Sequence, residues 1–429
     1  MLSALALFVC LVAPPVTGQL QPSVGCKASP SHSYALYLPS AYREDRLWPV
    51  LFVFSPAGDG AGAAALFQAG AERLGWIVIA SNDARNGPMA PIRTAQAALW
   101  KEAFDQFKVD PKRAYGAGFS GGARMAMDLA QDHASAFIGV ISIGAFGAGP
   151  TLGPNHLAHV MLCGDEDFNQ AELAAAWERM RGTKGRRLWM EVFPGGHRWA
   201  PENLIEEGMV FLEQSAGLQG RQPRDLAGEA AFLQRRLAVV LTPQTDPAQL
   251  LRRWSDVAVL PEAPPEARQQ AQLLEKQPDY RSALSLERSY AERSNRLRTS
   301  SSYGPELSRL LGVAAGKGPE ALDARRLLER ERGELEERCR EAVIGKEWEL
   351  GLKLARAMMA LGDTGSRGSR GGVYAAMVLA QLGRKEEALT ELKAAFERGY
   401  RPSRPIDDMP LLAPLRDESA FKALQAVPR

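Results

Sequence analysis

Between residues 33 and 216 the chain alternates two kinds of hydrophobic pattern. Short, nearly continuous apolar runs at 34–38, 50–54, 76–80, 113–118, 137–143, 159–163 and 188–193 read as strands. Several lack the polar alternation of a half-exposed strand, the mark of parallel strands buried on both faces. Between them, at 92–107, 121–131, 171–180 and 201–214, apolar positions recur at helical spacing. Strand and helix alternating in this way build βαβ units. The predicted fold is α/β, a doubly wound and mostly parallel sheet with helices on both faces.

After residue 217 the pattern changes. No strand-like run follows, and the rest is charged, helical and rich in Leu and Ala, broken at Pro243, between Pro261 and Pro265, and at Pro278, Gly304 and Gly318. The last part carries a weak internal repeat. Gly345 to Trp348 with Leu350, Leu354 and Ala357 matches Gly383 to Glu386 with Ala388, Leu392 and Ala395 at the same offsets. Small residues recurring in this way let stacked helix pairs approach closely. Ala376, Gly383, Ala388 and Ala395 resemble the small-residue pattern of a tetratricopeptide repeat, with an ordinary helical bundle as the alternative. The predicted segmentation is a leader at 1–18, an α/β domain at 19–219, a helical region at 220–343 and tetratricopeptide-like helices at 344–429.

The first residues change the picture of where the chain works. An apolar run at 2–13, too short to span a bilayer, precedes Pro14, Pro15 and the small-residue sequence Val16-Thr17-Gly18. This is the shape of a secretory signal cleaved after Gly18, although no Lys or Arg precedes the run. The protein is expected to be exported, with no stable membrane span. A formal net charge of +2 gives no global pull toward nucleic acid or anionic membranes. The Arg-rich stretch 292–298 reads as a solvated helix face. Beyond the leader three cysteines remain, Cys26, Cys163 and Cys339, an odd and widely spaced set that argues against a disulfide framework.

The chemistry concentrates in one motif. Gly118-Phe119-Ser120-Gly121-Gly122 follows a strand pattern and opens a helical one, the strand–turn–helix setting of a nucleophile elbow. Side chains at Gly118 or Gly122 would collide across so sharp a turn, and the turn aims the Gly121 amide at a reacting carbonyl. A serine hydroxyl needs a base, and the chain has five histidines. His32 precedes the serine. His133 ends the helix that Ser120 opens, about 20 Å away. His156 and His159 stand at the start of a strand, whereas catalytic groups gather at strand C-terminal ends. Their spacing by three also fits a metal pair, but a structural role suits them better. His197 remains, in Gly195-Gly196-His197-Arg198-Trp199 after the strand at 188–193. The acid is expected after the strand at 159–163, in Gly164-Asp165-Glu166-Asp167. Asp167 is the first choice, since the turn must come round before a carboxylate reaches the base; Asp165 is the second. The other oxyanion donor is expected in the loop Ser55-Pro56-Ala57-Gly58, where Pro56 has no N–H and Ala57 has one.

At these residues the chain resembles the esterase branch of the α/β-hydrolases, notably polyhydroxybutyrate-depolymerase-like and phospholipase/carboxylesterase-like proteins. The shared stretches are Tyr34 to Pro39, Val109 to Arg113 leading into the elbow, and Gly195 to Trp199. The likeness covers 33–216 and implies a triad of Ser120, Asp167 and His197 acting through an acyl-enzyme, with no metal or organic cofactor. Ser55-Pro56 stands where that family's oxyanion loop begins His-Gly. The expected substrate is a small-molecule or polymeric ester. A serine peptidase of the same fold is one alternative. Another is a non-catalytic protein whose C-terminal helices bind a protein partner; no nucleic-acid partner is expected.

Overall fold

In the computed structural model the described residues are 16–27, 29–147, 153–242, 246–290, 292–294, 303–361, 370–401 and 405–425. The predicted leader falls mainly on residues 1–15, outside that set. Eight strands are described: β1 (Leu20–Gly25), β2 (Ser33–Tyr37), β3 (Trp48–Phe54), β4 (Ile77–Ser81), β5 (Val109–Phe119), β6 (Phe137–Ile143), β7 (Ala158–Gly164) and β8 (Leu188–Phe193). They form one sheet in the order β1-β2-β4-β3-β5-β6-β7-β8. The pairs β1/β2 and β2/β4 are antiparallel. From β4 the ladder turns parallel through β3, β5 and β6. Strands β7 and β8 also run the same way. The His159 amide donates to Arg187 O at their starts, and the Asp165 amide to Phe193 O at their ends.

All seven predicted strands form, and β3, β4, β6, β7 and β8 are buried along their whole length. That burial is why the sequence there shows runs rather than alternation. The unpredicted strand is β1, whose half-exposed LQPSVG holds a proline. An edge position tolerates that residue because no ladder bond is needed on the outer side. Strand β5 starts at Val109, ahead of the expected Arg113. Trp48 pairs with Val109 and Val50 with Ala114, so Asp110–Arg113, Pro111 among them, loops out of register.

The helices among and just after these strands are α1 (Gly60–Ala65), α2 (Gln68–Leu74), α3 (Met89–Gln106), α4 (Gly121–Asp132), α5 (Gln170–Met180), α6 (Glu202–Leu218) and α7 (Leu226–Val240). Further along lie α8 (Pro247–Ala258), α9 (Pro265–Glu275), α10 (Pro278–Arg288), α11 (Tyr303–Ala314) and α12 (Pro319–Ile344). The last are α13 (Trp348–Ala360), α14 (Arg370–Gln381), α15 (Lys385–Glu397) and α16 (Ser419–Gln425). No described residue after Phe193 is in a strand, and no described helix is long and apolar enough to cross a membrane.

The chain divides into two compact units. One comprises Met1–Met161, Met180–Trp189 and Ala200–Gln234; the other comprises Leu162–Arg179, Met190–Trp199 and Arg235–Arg429. In the first, Trp76 stacks on Tyr115 with ring centroids 3.8 Å apart. The Glu213 carboxylate of α6 accepts from Trp76, Tyr115 and Arg113. The second unit joins the loops after β7 and β8 to the helical tail. There α12 packs on α13, α13 on α14 and α14 on α15. Gly351 faces Val343 and Val378 too closely for an added Cβ to fit without a shift. Ala355, Ala376, Ala388 and Ala395 are fully buried in the same cluster. In the second copy Ala388, Leu392 and Ala395 are buried where helices meet, whereas in the first Leu350 is exposed and Ala357 only half-buried, so Gly351 and Ala355 rather than those two repeat positions make the close contacts there. The two copies differ at the turn: Gly383 takes a positive φ of 76°, but in the first copy Lys346, not Gly345, takes it, at 59°.

Candidate active site

Ser120 lies between the end of β5 and the first residue of α4. Its backbone sits at φ 53° and ψ −124°, a conformation that costs a non-glycine residue on the order of 1–3 kcal/mol. The strain is held from several sides. The Ser120 amide donates to Ile143 O of β6 at 2.8 Å, and Ser120 O accepts from the Ala123 amide at 3.0 Å. A Cβ on Gly118 would lie 2.3 Å from the Gly122 carbonyl, a collision across the turn as the motif predicts. A Cβ on Gly122 would lie 2.1 Å from Phe54 O, so this glycine clears the neighbouring strand end instead. The elbow thus presses directly on the end of β3, where the Ser55–Gly58 loop begins.

That loop carries the predicted second amide. Ala57 N–H points to the hydroxyl of its neighbour Ser55 at 3.4 Å, a long and weak bond. The Asn86 amide donates to Pro56 O at 2.9 Å, tying the loop after β4 to this one. The Asn86 side chain lies against Gly121, where any Cβ would be only 1.8 Å from its Oδ1. Asn86 was not singled out from the sequence. Its signal was Asn86-Gly87 following a strand end one position from β3. Asn86, Met89, Ile92 and Arg124 help line a groove of about 540 Å³ beside Gly121.

In the other unit the structure brings Asp167 and His197 together. Both side chains are essentially buried, and His197 Nδ1 lies 3.0 Å from each Asp167 carboxylate oxygen. Such an acceptor fixes the proton on Nδ1 and leaves Nε2 to act as a base. The loop is built to hold the carboxylate there. Asp167 Oδ1 also accepts from the Asn169 amide at 2.8 Å. Asp165, the second-choice acid, points elsewhere: its Oδ1 accepts from the Gly195 amide at 2.8 Å. The Glu166 amide donates to Gly195 O at 3.0 Å, so the acid loop and the histidine loop are laced backbone to backbone. Gly164 permits the approach, since a Cβ there would be 2.0 Å from Gly195 O. Phe168 packs its ring on the imidazole at 4.4 Å, a contact that sequence reading had not marked.

The remaining histidines have other surroundings. His32 is 3.7 Å from the Asp83 carboxylate. His133 stacks flat on Trp100 at 3.8 Å. His156 Nε2 lies 2.9 Å from Ala134 O. His159 is fully buried near Arg186, and burial followed by that cation pushes its pKa down to about 3. Among the described residues no group of three His, Cys, Asp or Glu side chains is arranged to hold a metal ion. Cys26, Cys163 and Cys339 are buried thiols that form no disulfide among the described residues. Burial, with Asp167 close by, holds the Cys163 thiol well above its ordinary pKa and therefore neutral.

No protein-family model matches the chain. No curated protein matches it either. Among solved structures it is similar to the Staphylococcus aureus fluorophosphonate-binding serine hydrolase FphF, with 14% identity, TM-score 0.37, 46% of this chain and 99% of that one. It is similar to esterase PE8 at 17% identity and TM-score 0.35, covering 42% of this chain and 98% of that one. A thermostable esterase aligns at 15% identity and TM-score 0.33, over 44% of this chain and 59% of its own length.

Proposed function

We propose that the protein is an exported serine hydrolase that cleaves carboxylic esters, with Ser120 as nucleophile and His197 as its base. The single observation that carries this reading is the strained backbone of Ser120, held at a strand end by glycines that tolerate no side chain. A conformation so costly persists where surrounding structure over-determines it, and exposing a nucleophile is its commonest use. The buried Asp167–His197 pair supports the second half of the reading.

In the proposed cycle Ser120 Oγ attacks the ester carbonyl while His197 Nε2 takes its proton. Asp167 keeps the imidazole in the required tautomer and stabilises the imidazolium without taking the proton. The Gly121 amide, at the N-terminus of α4, and the Ala57 amide receive the developing oxyanion. The Ser55 hydroxyl yields the Ala57 N–H to it. The alcohol leaves with the proton from His197, and water, activated by the same base, releases the acid.

One observation favours a non-catalytic alternative. The Ser55 hydroxyl competes for the Ala57 amide, which weakens the oxyanion site and would suit a binding protein working through its tetratricopeptide-like tail. Labelling with a fluorophosphonate decides between the two. Strong labelling of the wild type, lost in Ser120→Ala and His197→Ala, establishes the hydrolase and justifies a screen of esters by acyl length. A folded wild type that takes no label sinks the catalytic reading.

A further inference from the structure

The loop that carries Asp167 is gripped by the helical tail, within a single compact unit. Arg326 of α12 is 95% buried and donates from Nε to Asp165 O at 2.7 Å. Its Nη2 is also buried and makes no hydrogen bond among the described residues. The Tyr290 hydroxyl donates to the backbone carbonyl of Arg326 at 3.1 Å, fixing the helix at that residue. Next to it, Arg325 Nε pairs with the Glu166 carboxylate at 2.7 Å. Two consecutive arginines of the tail therefore hold two consecutive residues of the acid loop.

A second grip lies just beyond Asp167. The Glu287 carboxylate of α10 accepts from Gln170 at 2.8 Å and is clamped by the buried guanidinium of Arg252 from α8. A third reaches β8, which leads to His197: Asp256 of α8 accepts from the Met190 amide at 2.8 Å and from Trp177 of α5 at 3.0 Å. Burying guanidinium groups is costly unless they are fully paired. A tail that merely followed the hydrolase fold would have no use for placing Arg326 there. The loop's own bonds join Asp165, Glu166 and Asp167 to the histidine loop, so a force on Asp165 or Glu166 is passed to the Asp–His pair.

We propose that Arg326, with Arg325 beside it, is a positioning residue for the Asp167–His197 pair, which makes the helical tail a working part of the active site. This rests on the hydrolase reading, and the test separates the two. Full-length Arg326→Met, Arg326→Lys and Arg325→Met are compared with wild type and with Arg340→Met, which breaks only an exposed pair with Glu337. Labelling rate and the low-field proton resonance of the His197 Nδ1–H are recorded, with melting temperature as the check on folding.

Displacing a catalytic pair by about 1 Å costs up to about a hundredfold in rate. Arg326→Met is accordingly expected to label at least about tenfold more slowly and to shift or broaden the low-field resonance. Arg326→Lys should recover part of both, and Arg340→Met should match wild type. Arg325→Met, whose side chain is partly exposed, is expected to fold, with melting temperature as the check, and should move both readouts in the same direction even if Arg326→Met does not fold. Wild-type labelling and an unmoved resonance in the folded variants would overturn the proposal. A wild type that shows the low-field resonance but takes no label overturns the hydrolase reading instead, while the resonance still reports on Arg326.

Discussion

Ser120 and its proposed partners His197 and Asp167 are held by opposite means. Around Ser120 the work is done by backbone: glycines with no room for a Cβ, a positive φ on a serine, amides paired to the neighbouring strand. Around His197 the backbone contributes through Gly164 and the Glu166–Gly195 bond, but most of the hold comes from side chains, with carboxylates and guanidinium groups that meet from segments far apart in the chain. A backbone-built site is intolerant of any added atom but needs little support from elsewhere. A site built from side chains tolerates small changes of shape, yet each polar group removed leaves a buried partner unsatisfied.

Substitutions should separate these two modes, and the largest effect is expected in the side-chain half. Asp167→Asn preserves shape but disturbs the imidazole tautomer, and labelling should fall by about three to four orders of magnitude with little change in melting temperature. Retained labelling would remove Asp167 from its role. In the backbone half, Gly122→Ala must push Phe54 O away from a Cβ that would lie only 2.1 Å from it. It should lower both labelling, by about a hundredfold, and stability, by about 1–3 kcal/mol in denaturant titration. Intact stability would show that the β3 end yields more easily than the geometry implies.

Asp165→Ala leaves the Gly195 amide without its acceptor while Asp167 stays in place. A loss of about 1–2 kcal/mol is expected, with a smaller fall in labelling than for Asp167→Asn. Ser120 offers the subtlest comparison, because two inactive variants differ only in strain. Ser120→Gly should be more stable than Ser120→Ala by about 1 kcal/mol, since glycine adopts positive φ freely. Equal stabilities would mean that the elbow carries no strain.

The two halves should also answer pH in opposite directions. His159, in the first unit, has its pKa lowered to about 3 by burial. In the unfolded chain it protonates near pH 6.5, so its contribution is present above that value and is lost as the pH falls toward 3. Asp256, in the second unit, has its pKa raised to about 8, burial outweighing the donors from Met190 and Trp177. Its contribution is present below the ordinary carboxylate range and is lost as pH rises through about 8. Denaturant midpoints measured from acid to alkaline pH should fall at both ends. His159→Leu should flatten the acid side and Asp256→Asn the alkaline side. A variant that leaves its own side unchanged refutes the corresponding assignment.

Much of the first half was legible in the sequence because its determinants are local. Fully buried strands announce themselves as apolar runs, and G-x-S-x-G in its strand–turn–helix setting names the strained residue. Strand β1 was not legible, since an exposed edge strand containing Pro22 carries no apolar signature. The sequence ranked Asp167 ahead of Asp165 only on the length of the turn, since both follow the same strand end two residues apart. The turn decides between them by sending one carboxylate to the Gly195 amide and the other to the imidazole. Nothing in the sequence singled out Arg325 and Arg326 within the charged helical tail. Their partners lie far away in sequence, and no periodicity encodes a contact at that distance.

The Arg326–Asp165 bond has a consequence for the order in which the molecule can be finished. Its two ends are separated by 161 residues. As the chain is made, the strands and the elbow are complete long before α12 exists, and domains fold largely as they emerge. For the time that synthesis needs to cover that interval, at about 5–20 residues per second, the acid loop lacks its outer support. On the proposed reading, Ser120 is then in place before Asp167 has been locked, and the hydrolase would reach full competence only with its C-terminal helices.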